Sequence, residues 1–158
     1  MMRAIFRLLD ERAKLPTKAH GSDVGYDLYA LNDFIIEPGK VTRVPTGIAY
    51  GGFDPLTQPT ASSGMSIFPK IEGRSGLASK GIFPVGGIVD PGYRGELVVM
   101  LLNSMSLNHP GNPSTAYEIK AGDRIAQMIF YMTAQPEVCV GELKQTDRGD
   151  SGFGSTGK

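Results

Sequence analysis

The stretch 86–97, GGIVDPGYRGEL, places a carboxylate and an aromatic ring close to one turn. Asp90 ends an apolar run, Pro-Gly follows it, and Tyr93 comes directly after. An isolated Asp-Pro-Gly is typical of a hairpin turn in which the aspartate hydrogen-bonds the turn backbone. Because Tyr93 stands at the same rim, the pair could instead hold a sugar ring and activate a water molecule.

The stretch 147–158, DRGDSGFGSTGK, matches two phosphate-binding patterns, G-x-G-x-x-G and G-x-x-x-x-G-K. Both patterns work by placing phosphate at the N-terminus of a helix that follows the glycines. No such helix is expected here, because the sequence ends at Lys158. Composition alone favours a mobile terminus without a role as strongly as a binding segment.

The same stretch nevertheless carries groups that suit a phosphorylated ring compound. Arg148 has a fixed positive charge, and Ser155 and Thr156 offer hydroxyl groups. The glycines, Gly154 among them, leave backbone amides accessible to an anion. Phe153 stands among glycines, where it has no core to join and could close over a flat ring.

Three shorter stretches place polar groups in apolar or glycine-rich settings. Arg74, Ser75 and Gly76, in GRSGLASKG, open a short predicted helix and could bind an anion, although a surface helix capped by Ser75 gives the same pattern. Gln127 interrupts the apolar run IAQMIF, and Asp27 interrupts SDVGYDLYA. A buried amide or carboxylate needs polar partners, which are either structural or part of a ligand.

Histidine and cysteine chemistry is not indicated. His20 and His109 stand alone, without carboxylates or thiols at the spacing of metal ligands, so surface positions are favoured for both. Cys139 falls in a candidate strand and is predicted to be a small core residue rather than a nucleophile.

The composition is that of an ordinary globular chain of 158 residues, 41% hydrophobic and 20% charged. Sixteen basic residues balance sixteen acidic ones, so nucleic acid is not an expected partner. No apolar run reaches the roughly 18 residues of a membrane span, and the N-terminus lacks a signal-peptide pattern. Because a single cysteine cannot form an internal disulfide, the default expectation is a cytoplasmic protein.

The elements that position these residues are predicted to be short strands. Twenty-one glycines and eleven prolines interrupt the chain too often for long helices. Short branched or alternating runs separated by turn signals are typical of an all-β sandwich or barrel. We predict strands at 3–9, 41–50, 65–71, 82–89, 96–103 and 125–132, a weaker strand at 138–143, and one short helix at 75–80.

The predicted organisation is a single domain, 1–146, followed by a mobile Gly-rich arm, 147–158. Two long stretches, 51–66 and 104–115, are predicted to be loops. Loops of this length are uncommon in compact domains unless they are functional or disordered. The first loop, from Gly51 to Ser66, is either a surface insertion, which we favour, or an element that binds a protein partner.

Taken together and in order, these five stretches resemble the five motifs of the homotrimeric dUTPase family, from about Ser22 to Gly157. Any one motif is weak, whereas five in series, with the Asp90–Tyr93 spacing and the terminal RGDSGFGSTG, are specific. The resemblance implies a β jelly roll of the β-clip type, assembled as a trimer. Its three active sites would lie at subunit interfaces, and the arm would complete a neighbouring site.

The resemblance also implies a role for each matching residue. Asp90 would bind the 3′-hydroxyl and activate the attacking water, with Gln127 and Arg148 as further catalytic residues on the phosphates. Tyr93 would pack on the deoxyribose, and Asp27 would contact a metal-bound water. The other substrate-binding residues would be Arg74, Ser75, Gly76, Gly87, Ile88, Val89, Phe153, Gly154, Ser155 and Thr156.

The implied reaction is attack of water on the α-phosphorus of dUTP, which gives dUMP and pyrophosphate. It would limit uracil in DNA and supply dUMP for dTMP synthesis. Mg²⁺ is the implied cofactor, because it prefers oxygen ligands, keeps several waters and can be carried by the triphosphate. The hairpin backbone would read the uracil edge.

The sequence departs from the family's pattern at four places. Ser151 stands where the tail motif usually has glycine, and Gly73 stands where proline often precedes Arg-Ser-Gly. Pro84 lacks the side-chain amide that some members carry there, which places more weight on backbone reading of the base. The stretch 51–66 is longer than the short turn expected at that point.

Two other functions fit parts of the sequence. A dCTP deaminase-like enzyme would share the fold, although the Asp90–Tyr93 hairpin and the complete Gly-rich tail favour dUTP hydrolysis. A non-catalytic trimer that binds dUTP and regulates a partner would also keep the motifs. Ammonia released from dCTP would indicate the first, and binding of dUTP without hydrolysis would indicate the second.

Overall fold

The computed structural model describes residues 2–54, 64–105, 116–147 and 149–150, in which the chain forms nine strands and one short helix. None of the helical structure in these ranges is long and apolar enough to cross a membrane. In chain order the elements are β1 Ala4–Leu8, β2 Tyr26–Tyr29, β3 Phe34–Ile36, β4 Val41–Phe53, β5 Met65–Glu72, α1 Ser75–Ala78, β6 Ile82–Val85, β7 Glu96–Asn103, β8 Tyr117–Ile119 and β9 Arg124–Ala134.

The strands pair in three sheets. The largest has the order β1-β4-β7-β6, the second has the order β2-β9-β5, and the third joins β3 to β8. Every pair of strands is antiparallel. One cluster of buried residues draws on all three sheets, with Leu28, Ile36, Val44, Leu101 and Met128 among its members. The predicted all-β jelly-roll class is confirmed.

Strand β7 shows how the sequence pattern builds this core. Leu97, Val99 and Leu101 alternate with half-buried residues and are buried almost completely, as expected when successive side chains point to opposite faces of a sheet. Asn103 ends the strand and is buried as well. Its Nδ2 donates to the Ile36 carbonyl at 2.9 Å, so the buried amide has a partner and connects β7 to β3.

Strand β6 ends earlier than its sequence predicts. The apolar run 82–89 was expected to form one strand, but β6 stops at Val85 because Gly86 has a positive φ of 65°. The chain then crosses to the second sheet, where Ile88 forms an isolated bridge with Lys70 of β5. This crossing determines where the Asp-Pro-Gly turn lies.

Most of the other predicted elements are confirmed, and all of them except β7 differ in length from the prediction. The helix and the strands near 3–9, 41–50, 65–71, 96–103 and 125–132 are present, whereas the three- and four-residue strands β2, β3 and β8 were not predicted. The predicted loop 51–66 is too long at both ends, because β4 continues to Phe53 and β5 begins at Met65. Residues 55–63 and 106–115, His109 included, lie outside the described residues.

The predicted strand at 138–143 is wrong. Residues 135–146 have no regular secondary structure, and Val138, Val140 and Leu143 are almost fully exposed. Cys139 is exposed too, so its predicted place in the core is also wrong. The alternating pattern identifies residues that suit a strand, but no strand among the described residues pairs with this segment.

Candidate functional site

Two surface cavities contain most of the predicted site residues that the structure describes. The strand cavity has a volume of about 410 Å³, and its wall includes Asp27, Arg74, Ser75, Gly76 and Gln127. The hairpin cavity has a volume of about 260 Å³, and its wall includes Ile88, Val89, Asp90 and Tyr93. The two cavities share no lining residue. The structure therefore brings the predicted residues together as two separate groups.

The strand cavity is positioned by the β2–β9 pair and the start of α1. Asp27 lies directly opposite Gln127 in that pair, so the two side chains stand on one face of the sheet. Helix α1 begins at Ser75, and Arg74 is its N-cap, with extended backbone angles and no side-chain capping bond. The interpretation of Ser75 as the helix cap is therefore wrong, and its hydroxyl has no partner among the described residues.

Asp27 is the centre of an ion-pair cluster in this cavity. Its side chain is only 14% exposed, and its Oδ1 lies 2.9 Å from Arg74 Nε. Its Oδ2 lies 3.3 Å from Nη1 of Arg124, a residue that no sequence motif singled out. Arg74 Nη1 also donates to the Arg124 carbonyl at 3.1 Å. Two acceptors thus fix the planar guanidinium of Arg74.

Gln127 is held against the backbone on two sides. Its Nε2 donates to the Gly73 carbonyl at 2.8 Å, which connects β9 to the residue before Arg74. A Cβ atom on Gly25 would collide with the Gln127 side-chain amide, so the amide packs where only glycine leaves room. Gly25 was not selected from the sequence, although it lies inside the SDVGYDLYA stretch with Asp27.

Residues 87–89 run beside β5 and are attached to it through the backbone. The Ile71 amide donates to the Gly87 carbonyl at 2.7 Å, and the Val89 amide donates to the Pro69 carbonyl at 3.1 Å. A Cβ on Gly87 would collide with the Ile71 carbonyl, so this close approach requires glycine. Residues on either side of Ile88 thus direct backbone groups toward β5.

Ile88 presents its backbone in the other direction. Neighbouring residues of a strand alternate in the side to which their amide and carbonyl point. The Ile88 amide and carbonyl have no hydrogen-bond partner among the described residues, and its side chain is exposed. A donor and an acceptor are therefore available together at the wall of the hairpin cavity.

The turn that follows leaves the Asp90 carboxylate without a partner. The Tyr93 amide donates to the Asp90 main-chain carbonyl at 3.0 Å, which closes the turn through the backbone alone. No described residue bonds or pairs with the Asp90 side chain, so the interpretation as a turn-stabilising aspartate is wrong. The Tyr93 hydroxyl donates to the Glu96 carbonyl at 3.0 Å, and its ring covers Gly95.

The remaining predicted residues lie outside the described residues. They are Arg148, Phe153, Gly154, Ser155 and Thr156, together with the unusual Ser151. The contacts of the arm with either cavity therefore stay predictions.

The described residues contain no group of three or more His, Cys, Asp or Glu side chains that could hold a metal ion. Two acids line the strand cavity, Asp23 and Asp27. Asp23 accepts the His20 amide at 2.8 Å, and Asp27 is engaged with two arginines. These two carboxylates are too few to form a dedicated metal site. They suit a metal ion that arrives with oxygen ligands of its own, such as the phosphates of a substrate and bound waters.

Two of the residues that depart from the expected motif pattern are neighbours. A Cβ atom on Gly73 would lie 3.3 Å from Cδ of Pro84, a distance at which the proline ring must give way. Gly73 belongs to the segment before α1 and Pro84 to β6, so the contact joins two motifs that are separate in the sequence.

Comparisons with known proteins point to one family. The sequence model of the dUTPase family matches residues 11–157. The deoxyuridine 5′-triphosphate nucleotidohydrolases of monkeypox virus and variola virus are each 40% identical to this chain over 147 residues. The matches cover 92% of this chain and 85% and 87% of the respective viral proteins.

Solved structures are similar over most of the chain. The dUTPase of Staphylococcus bacteriophage 80alpha with dUpNHpp has a TM-score of 0.76 at 24% identity, covering 100% of this chain and 99% of the phage chain. A mutant dUTPase of S. aureus phage phi11 has a TM-score of 0.63 at 25% identity, and the match covers 93% of this chain and 97% of the phage chain. The structure of that mutant describes the coordination of a structural Mg(II) ion. The chain belongs to the dUTPase family.

Proposed function

We infer that this chain is a dUTP diphosphatase, an enzyme that hydrolyses dUTP to dUMP and pyrophosphate. The observation that carries this inference is the match of residues 11–157 to the dUTPase family. The viral relatives, 40% identical over 147 residues, are named for the same reaction. In this proposal one cavity binds the triphosphate and the other binds the nucleoside.

We propose that the strand cavity binds the triphosphate. Arg74 is fixed by Asp27 and by the Arg124 carbonyl, and its remaining N–H groups can reach phosphate oxygens. The free Ser75 hydroxyl, the Gly76 amide and the Gln127 amide stand at the same wall. Donors held in place before the substrate arrives need little reorganisation when negative charge develops, which is the main requirement for this kind of transfer.

The hairpin cavity would bind the nucleoside. The free amide and carbonyl of Ile88 offer one donor and one acceptor to the uracil edge, while Gly87 and Val89 hold that edge against β5. A site of this kind rejects cytosine by about 10⁴-fold, because mismatched polar groups would stay unpaired. Tyr93 would pack on the deoxyribose and leave no room for a 2′-hydroxyl. The exposed ring is fixed by its bond to Glu96.

Asp90 would act as the general base. Its carboxylate has no described partner, so it is available to accept a proton from water. As the water oxygen forms its bond to the α-phosphorus, the proton passes to Asp90. The electron pair of the breaking P–O bond leaves with pyrophosphate, and Arg74, Gln127 and Arg148 stabilise the charge that develops on the phosphate oxygens.

We propose Mg²⁺ as the cofactor, held mainly by the triphosphate. Each Asp27 oxygen faces one guanidinium and can still accept another hydrogen bond, which fits a contact with a metal-bound water. Bound there, Mg²⁺ would neutralise part of the triphosphate charge. The structural Mg(II) ion of the phi11 phage enzyme supports use of this metal in the family.

We further propose that the enzyme is a homotrimer. A nucleotide must contact the strand cavity with its phosphates and the hairpin cavity with its nucleoside. In one chain these two cavities have no lining residue in common. Pairing the hairpin of one subunit with the strand cavity of the next completes the site. The arm 147–158 would come from a third subunit, and the exposed Val138, Val140 and Leu143 would be covered on its way there.

Hydrolysis of four nucleotides by the purified protein tests this function most directly. With Mg²⁺ present, we expect pyrophosphate and dUMP from dUTP and little reaction with dCTP, dTTP or UTP. Ammonia from dCTP without pyrophosphate from dUTP would indicate a deaminase instead. Binding of dUTP without hydrolysis would indicate a regulatory binding protein.

Two further expectations stay predictions. The first is that residues 51–66 form a surface for a protein partner; most of this stretch, 55–63, lies outside the described residues. The cytoplasmic location rests on the sequence, and fractionation of cells that make the protein checks it.

A further inference from the structure

The charge balance of the strand cavity depends on a residue without a role so far. Four charged side chains line this cavity, Asp23, Asp27, Arg74 and Arg124, and their formal charges cancel. His20 Nδ1 lies 3.4 Å from Asp23, outside the wall, and adds charge only when protonated. Without the Arg124 guanidinium the wall would carry a net negative charge. A triphosphate would then meet repulsion from the described part of the cavity.

The position of Arg124 suits direct contact with an anion. Its side chain is 48% exposed, and its Nη1 lies 3.3 Å from Asp27 Oδ2. That contact is the side chain's one bond to the described residues, so most of its five N–H donors are unused. Its own carbonyl holds Arg74 in place, so the two guanidiniums lie beside each other around one carboxylate.

We propose that Arg124 is a further substrate-binding residue, which donates to a phosphate oxygen of dUTP while Asp27 positions it next to Arg74. The proposal rests on the proposed dUTP hydrolysis and adds one residue to its phosphate-binding half. A guanidinium suits this position because several donors in one plane can bind phosphate and carboxylate oxygens together.

A purely structural salt bridge is the simpler alternative. Because the Arg124 side of this pair is half exposed and Asp27 keeps its second partner Arg74, that alternative predicts small effects on stability and none that depends on phosphate. A phosphate contact predicts instead that loss of Arg124 weakens ligand binding. The loss of affinity should increase with the number of phosphates on the ligand and decrease at high salt.

The test compares Arg124→Gln and Arg124→Lys with the unchanged protein and with the control Arg12→Gln. Arg12 is also an exposed arginine paired with an aspartate, Asp10, but it lies outside both cavities. Titration calorimetry with Mg²⁺ measures binding of dUpNHpp, and competition measures binding of deoxyuridine, which has no phosphate. Melting temperatures report any loss of folding.

We expect Arg124→Gln to weaken the binding of dUpNHpp on the order of 10- to 100-fold and to change the binding of deoxyuridine by no more than about threefold. Arg124→Lys keeps the charge and should bind dUpNHpp more tightly than Arg124→Gln, and Arg12→Gln should behave like the unchanged protein. Unchanged dUpNHpp binding, equal weakening of both ligands, or equal loss in both Arg124 variants would overturn the proposal. The hydrolysis assay on the unchanged protein tests the function separately, so either can fail alone.

Discussion

The strand cavity and the hairpin cavity differ in how their polar groups are partnered. In the strand cavity, the Asp27, Arg74 and Arg124 side chains bond to one another, and Gln127 bonds to the Gly73 carbonyl. In the hairpin cavity, the Asp90 carboxylate and the Ile88 backbone have no partner among the described residues.

This difference matches two kinds of chemical task. Binding of phosphate oxygens benefits from donors that are already fixed in direction and charge. A base must keep its lone pair available, and an edge that reads uracil must keep a donor and an acceptor free. Changes to the partnered Asp27 or Gln127 should therefore alter both stability and binding, whereas changes to the unpartnered Asp90 carboxylate should alter function alone.

The sharpest test of this contrast is Asp90→Asn. We expect a loss of turnover of about 10²- to 10⁴-fold, because the general base is removed. Binding of dUpNHpp and the melting temperature should stay close to those of the unchanged protein, because the carboxylate makes no bond to the described residues. Steady-state pyrophosphate release, calorimetry and thermal unfolding measure the three quantities. Unchanged turnover would remove Asp90 from the role of base, and a lower melting temperature would show that the carboxylate is structural.

Deleting residues 148–158 removes the proposed third contribution to the site. We expect kcat/KM for dUTP to fall on the order of 100-fold, since the deletion takes away Arg148 and the cover of Phe153. The core of the described residues is complete without this segment, so the oligomer mass and the melting temperature should change little. Light scattering and calorimetry check both, and dissociation of the trimer would mean that the arm holds the subunits together.

Gly25→Ala, in contrast, should lower the stability of the fold and have a smaller effect on catalysis. The added Cβ would collide with the Gln127 amide and displace its bond to Gly73, at a cost of about 1–3 kcal/mol in the free energy of unfolding. Binding of dUpNHpp should weaken as well. Gly21→Ala is the matched control, because its Cβ would meet nothing within 4 Å. Equal unfolding free energies for the two variants would contradict the packing argument.

Prediction from sequence was accurate where the pattern is long enough to be specific. Strand β7 was predicted with its observed ends, because eight alternating residues fill one face of a sheet and leave the other half-buried. Strands β3 and β8 have three residues each, and no periodicity can be read from so few. The end of β6 depends on the left-handed backbone of Gly86, which the apolar run 82–89 does not reveal.

The site residues were predicted as separate sequence motifs, and the structure shows which residues of different motifs contact one another. Asp27 and Gln127 were selected because they interrupt apolar runs, and the β2–β9 register places them opposite each other. Arg124 was not selected from the sequence, and its pairing with Asp27 appears only once the strands are aligned. The segment 138–143 failed as a strand for a related reason: a suitable pattern does not specify whether a partner exists in the same chain.

The contact between Gly73 and Pro84 bears on how this sequence could have diverged and how it can be engineered. Restoring proline at 73 alone would press a second ring against Pro84, since even a Cβ there lies 3.3 Å from Cδ. Replacing Pro84 alone by a smaller residue would remove the ring that lies beside Gly73. The two positions are therefore expected to change as a pair, and a motif transplanted from a relative should carry both residues, although 11 positions separate them along the chain.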